Sequence, residues 1–200
     1  MVGPEDVLAF WLDECSPADW YKSDPAFDAV IVERFSEALQ DAADGALGLW
    51  LTYPSGVLAY IILTDQFPRN MFRDSGKAFA TDHLARAAAK MAIDRQWDMK
   101  IDEPARQFFY LPLMHAENLC DQDRAVRLIH TRMPETGESN RDHACAHRAV
   151  FVISVASLTA TRLWGVRPPS PSKCSWMLVD MVQLFARNKN PPNKPIAPIG

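Results

Sequence analysis

Long hydrophobic runs are missing from this chain of 200 residues. No stretch of about 18 apolar residues occurs, and no basic-then-apolar leader opens the sequence. Neither a helical membrane span nor a secretory signal is therefore expected, and the expected location is the cytoplasm. Basic charge is not in excess either: 21 Lys and Arg stand against 25 Asp and Glu, a formal net charge of −4. Neither nucleic acid nor an acidic membrane is expected as a partner. The four cysteines, Cys15, Cys120, Cys145 and Cys174, lie far apart without a C-x-x-C pair. Buried free thiols are expected, not a disulfide framework or a zinc site. Glycine numbers only 8, and no glycine-rich phosphate loop, dinucleotide fingerprint or G-x-S-x-G elbow appears. No cofactor is therefore expected, and the hydrolase and oxidoreductase classes lose weight.

What remains is 48% hydrophobic, enough for one domain with a core, and its apolar positions follow helical spacing. Helices are predicted over about 4–12, 25–43, 78–95, 113–131 and from 138 onward. Asp24 or Ser23 caps the second, and Phe27, Val30, Ile31, Phe35 and Leu39 form its apolar face. Pro104 suits the first turn of a further helix, which Pro112 interrupts. Nothing alternates with period two before residues 151–155. The fold class is all-α, with helices paired by short loops.

The centre of the chain is 57–73. Val57, Leu58, Tyr60, Ile61, Ile62 and Leu63 are apolar on every side of a helix, which places that helix inside the protein. Ser55 is expected to cap it and Pro68 to end it. Asp65, Gln66, Arg69, Asn70 and Arg73 then arrive where a buried helix stops, and charge delivered there needs partners. Two readings stand side by side. Arginine forks can hold a carboxylate or phosphate ligand. Alternatively, Arg69 and Asn70 satisfy the free carbonyls of the helix end while Asp65 pairs with an arginine.

A second polar group follows the proline break at 112. His115 could serve as a general base, oriented by Glu117, with Gln122 nearby; the plainer reading is a hydrogen-bonded structural pair. A third candidate is His143 and His147, four apart on one helix face. A zinc peptidase needs a glutamate after the first histidine, and Ala144 stands there. Without a third ligand, no metal is expected.

Together, F-W-L at 10–12, D-P-A-F-D at 24–28, R-F at 34–35, L-T-D-Q-F-P-R-N-M-F-R at 63–73, A-F-A-T-D at 78–82 and F-Y-L-P-L-M-H-A-E-N-L at 109–119 make a pattern. Over about residues 5–150 the chain resembles a bacterial family known as domain of unknown function nine-two-four. That family is grouped with tetratricopeptide-like helical folds. The resemblance implies a superhelix of antiparallel helix pairs and carries no activity with it. Ala116 departs from the serine expected between the histidine and the glutamate.

The larger departure begins at residue 151. Residues 151–166 read F-V-I-S-V-A-S-L-T-A-T-R-L-W-G-V, where the family pattern leads one to expect a segment such as I-R-D-F-G-R-F-P-Y-R-N-A-A-L-G-R. A DNA sequence chosen to encode that segment translates into residues 151–166 once a single base is removed from its first codon. Residues 151–200 are therefore expected to be out-of-frame translation. After Gly165 the composition also changes, with seven of the 15 prolines in 166–200, and a loose tail is expected. The domain is thus 1–150, followed by an atypical segment 151–200.

Two functions of different class follow. One is an enclosed polar pocket for a small polar or anionic ligand, lined by Asp65, Gln66, Arg69, Asn70, Arg73, His115, Glu117 and Gln122, with catalysis left open. The other is a helical-repeat module presenting a concave face to a protein partner.

Overall fold

The computed structural model describes the backbone of residues 2–164 and the side chains of 2–152. Among the described residues the fold is all-α, without a strand. Contacts divide the chain between Arg141 and Asp142 into two compact units. The candidate residues of the polar clusters at 65–73 and 115–122 all belong to the first unit.

Proline, suited to a helix's first turn because it has no N–H to leave unbonded, opens three of the first unit's helices. Helix α1 (Pro4–Leu8) passes directly into a π-helical turn, Ala9–Glu14. Helix α2 (Pro25–Ala43) is capped by Asp24, whose Oδ1 accepts from the Ala26 and Phe27 amides at 3.0 and 3.5 Å. Its buried face is Ile31, Phe35, Ala38, Leu39 and Ala42. Val30, expected on that face, is exposed, because it sits about 100° round the helix from Ile31.

Helix α3 (Pro54–Ile61) is the core expected of it: every residue from Gly56 to Ile61 is buried. Pro54 opens it with Tyr53 at the N-cap, so Ser55 is not the cap the sequence suggested. Gly56 is demanded by close approach, since a Cβ there would overlap the Trp50 carbonyl oxygen and the Tyr53 ring. Burying Leu58, Ile61, Ile62 and Leu63 contributes about 1.5–3 kcal/mol each.

Pro68 does not end this helix. A second π-turn, Ile62–Gln66, follows α3, and α4 (Phe67–Met71) continues from it. In the turn the hydrogen bonding steps from i−4 to i−5, with the Phe67 N–H donating to the Ile62 carbonyl. The extra residue widens the backbone, so Pro68 falls in the first turn of α4, where its missing N–H and its ring are tolerated.

The two π-turns meet in an aromatic cluster. Trp11 lies edge-on to Phe67 at 5.3 Å between centroids, and Phe35 is 4.7 Å from Phe67. Trp20 donates its indole N–H to the Trp11 carbonyl at 2.7 Å and abuts Phe108 at 5.0 Å.

Helix α5 (Asp82–Asp94) is shorter than the predicted 78–95, because residues Gly76–Phe79 form a separate 3-10 turn. Its buried alanines, Ala85, Ala88, Ala89 and Ala92, let it pack closely on α3. A 3-10 turn, Ala105–Phe109, leads into α6 (Leu111–Met114), and Pro112 lies in the first turn of that helix where an interruption was expected. The chain then breaks at 115–118 before α7 (Leu119–Arg132), capped by Asn118 Oδ1 accepting from the Asp121 amide at 3.1 Å. Helix α8 (Gly137–Trp164) includes 151–155, where a strand was conceivable. The suggested loose tail after Gly165 lies outside the described residues.

Among the described residues only Cys15 is a buried thiol; Cys120 and Cys145 are exposed, and Cys174 lies outside the described residues. Burial and the neighbouring Asp19 and Glu14 push the Cys15 thiol up to about 11.

Candidate functional site

Asp65 is the centre of the polar cluster. The π-turn carries its carboxylate to a place with no exposure to solvent. His115 Nδ1 lies 3.0 Å from Oδ1, Arg69 Nη1 lies 3.3 Å from the same oxygen, and Gln66 Nε2 donates to Oδ2. Burial by itself pushes the carboxyl upward, but the charges and hydrogen bonds of His115, Arg69 and Gln66 outweigh it. They hold Asp65 below the usual aspartate range. A buried carboxylate thus stays ionised by gathering donors from two helix breaks that lie 50 residues apart.

The neighbouring arginines have acidic partners of their own. Arg69 forks onto Asp82 through Nη1 and Nη2 at 3.0 and 3.1 Å, and also donates to the Asp65 carbonyl. Asn70 donates to Asp28 Oδ1 at 2.9 Å. Arg73 grips both oxygens of Asp28, with Nη2 at 2.9 Å from Oδ1, and donates to the Lys22 carbonyl at 3.0 Å. Burial raises the Asp28 carboxyl, and the Arg73 and Asn70 hydrogen bonds more than reverse it. The bridges tie α4 to α2 and α5. Thr81 adds a tie by donating to the Thr64 carbonyl at 2.7 Å.

The residues around His115 divide differently from expectation. Asp65, not Glu117, orients the imidazole; Glu117 is exposed. With Nδ1 facing Asp65, the ring directs Nε2 to the opposite side. The His115 side chain keeps 16% of its surface exposed and that of Arg69 keeps 23%. Gln122 is buried and donates to the Ala116 carbonyl at 2.8 Å, fastening the 115–118 break to α7. Thus Asp65, Gln66, Arg69 and His115 converge; Asn70 and Arg73 meet on Asp28; Glu117 and Gln122 join neither group.

Two residues absent from the sequence reading belong beside this cluster. Tyr21 is 61% exposed, yet its hydroxyl is turned inward and donates to buried Gln107 Oε1 at 2.6 Å. The same oxygen accepts from Asn140 at 2.9 Å, while Gln107 Nε2 donates to the Pro104 carbonyl at 2.9 Å. The tucked hydroxyl end, together with the nearby Asp65 charge, pushes the phenol up to about 12. Periodicity could not have found Tyr21 or Gln107, because neither sits in a charged run; the only hint was a glutamine within an otherwise apolar stretch at 107–111.

Among the described residues, no group of three or more potential ligands could hold a metal ion, and no helix is long and apolar enough to cross a membrane. His143 and His147 lie on α8, in the second unit.

An all-α fold built on a buried helix with a charged, π-turned end is the class that fold and site define. The model of the family described as "Bacterial protein of unknown function (DUF924)" matches residues 7–154, and the chain belongs to that family. A solved structure, titled as a protein of unknown function, ATU0120, from Agrobacterium tumefaciens, is similar at 35% identity and a TM-score of 0.73. The match covers 87% of this chain and 96% of that one. No curated protein matches.

Proposed function

We propose that the first unit binds a small polar or anionic ligand beside Asp65 and His115. The observation that carries the reading is Asp65 itself: an ionised carboxylate without solvent exposure, on a π-turn, joined to a partly exposed imidazole. Turns of this kind inside α-helices are frequent at functional sites. A charge kept in a core is often no more stabilising than an apolar residue of the same size, so its presence calls for a reason other than stability. Arg69 and Arg73 already hold Asp82 and Asp28, which favours a polar ligand carrying both donors and acceptors over a simple anion. His115, oriented by Asp65, and Tyr21, oriented by Gln107, are the groups that would meet it. No reaction is assigned. The exposed thiols of Cys120 and Cys145 suit a reducing cytoplasm.

Thermal denaturation with small amino acids, hydroxy acids and phosphates tests this. A ligand at about 100 times its Kd stabilises by about 2.7 kcal/mol, or several degrees in a chain of this size. The wild type should respond to one class, and Asp65→Asn and His115→Ala should not. A wild type unmoved by all three classes, or an equal response from both variants, would refute the reading.

A further inference from the structure

A second candidate site lies on α5 and α7, apart from the Asp65 cluster. A groove of about 420 Å³ opens there, lined by Asp94, Gln96, Arg124, Arg127, Thr131 and Arg132, with Ile93 and Leu128 buried beside them. That volume falls within the range of small-molecule sites. Arg124, Arg127, Leu128 and Arg132 are spaced at i, i+3, i+4 and i+8, so α7 turns one basic face to the groove. The chain as a whole carries a formal charge of −4, so this face runs against the sign of the protein.

The three arginines are not equivalent. Arg132 is fixed, its Nη1 held 2.6 Å from Oδ2 of fully buried Asp98. Asp98 Oδ2 also accepts from the Tyr110 hydroxyl at 2.6 Å, so this arginine is a rigid wall. Arg124 meets Asp94 at 2.6 Å, but the Asp94 side chain is 66% exposed. Such a pair is screened by water and worth little, which lets Arg124 exchange one carboxylate for another anion. Arg127 is exposed.

We infer that this groove binds a small oxyanion, its phosphate or carboxylate group taken by Arg127 and Arg124. A guanidinium fork suits the paired oxygens of either group. The site is independent of the ligand proposed beside Asp65.

The test is titration of the full chain with phenyl phosphate, with inorganic phosphate and with phenol, followed by calorimetry and by backbone amide NMR. Phosphate binding should be saturable with inorganic phosphate and phenyl phosphate alike, absent with phenol, and accompanied by shifts of amides within 93–96 and 124–132. Arg127→Gln, an exposed change that leaves folding intact, should weaken it by about tenfold. Asp65→Asn should leave it unaltered. Absence of saturable binding, an undiminished affinity in Arg127→Gln, or loss of binding in a folded Asp65→Asn would each overturn the proposal.

Discussion

Replacing Asp65 tests the argument about the buried cluster most directly. In Asp65→Ala, Arg69 keeps its fork on Asp82 and its bond to the Asp65 backbone carbonyl, so it is not stranded. Gln66 Nε2 and His115 Nδ1 do lose their acceptor. Each buried donor left without a partner costs about 1–3 kcal/mol, and removing one member of a buried ionic group costs about 3–5 kcal/mol in all. Urea unfolding at neutral pH should therefore show a loss of about 4 kcal/mol, equivalent to a melting temperature lower by about 10 °C. Asp65→Asn, which keeps the shape and one acceptor oxygen, should lose about half of that. The pH dependence supplies the sign. Because the folded-state carboxyl is held below its unfolded value of about 3.9, its contribution is fully present above that pH. It is lost as pH falls through the lower folded value. Asparagine resembles the protonated acid, so the gap between wild type and Asp65→Asn should be wide at neutral pH and close in strong acid. A gap that stays constant into strong acid, or an Asp65→Ala variant within about 1 kcal/mol of wild type, would refute the reasoning.

Other outcomes follow from the same packing. Arg69→Ala and His115→Ala should each lose about 2 kcal/mol, more than a surface change, and melting temperatures within about 1 °C of wild type for both would count against the cluster. Gly56→Ala gains about 1 kcal/mol of helix propensity, yet should be net destabilised by about 2 kcal/mol because its Cβ has no room beside Trp50 and Tyr53; a variant as stable as wild type in urea would contradict this. Elemental analysis of protein purified without chelator should find no stoichiometric metal, and one zinc per chain would overturn that expectation. Resequencing the gene through codon 151 should recover one missing base and restore an R-F-P-Y-R-N segment; detection of the peptide L-W-G-V-R in native cells by mass spectrometry would defeat it.

Much of the fold was written locally. Helical periodicity, the Asp24 cap and the apolar circumference of 57–63 each depend on neighbours within a turn or two, and so the all-α class, the bounds of α2 and the burial of α3 could be read without coordinates. That the polar residues after Leu63 would need partners was legible for the same reason, since they directly follow a buried helix. Their partners were not. Asp28 lies 42 residues from Asn70, and His115 lies 50 from Asp65; such pairs are chosen by how helices pack, and one carboxylate in a sequence looks like another. Glu117, near His115 in sequence, points to solvent, while Asp65 reaches the imidazole through the core. Pro68 shows the same division. Taken locally, a proline ends a helix; in the folded protein the π-turn before it supplies the extra residue that lets the helix continue, carrying Asp65 inward and Phe67 onto Trp11. The sequence by itself determined that a charged end would sit inside an all-helical core. Only the tertiary structure decided which charges meet there, because the pairing energy depends on distances that helix packing alone sets.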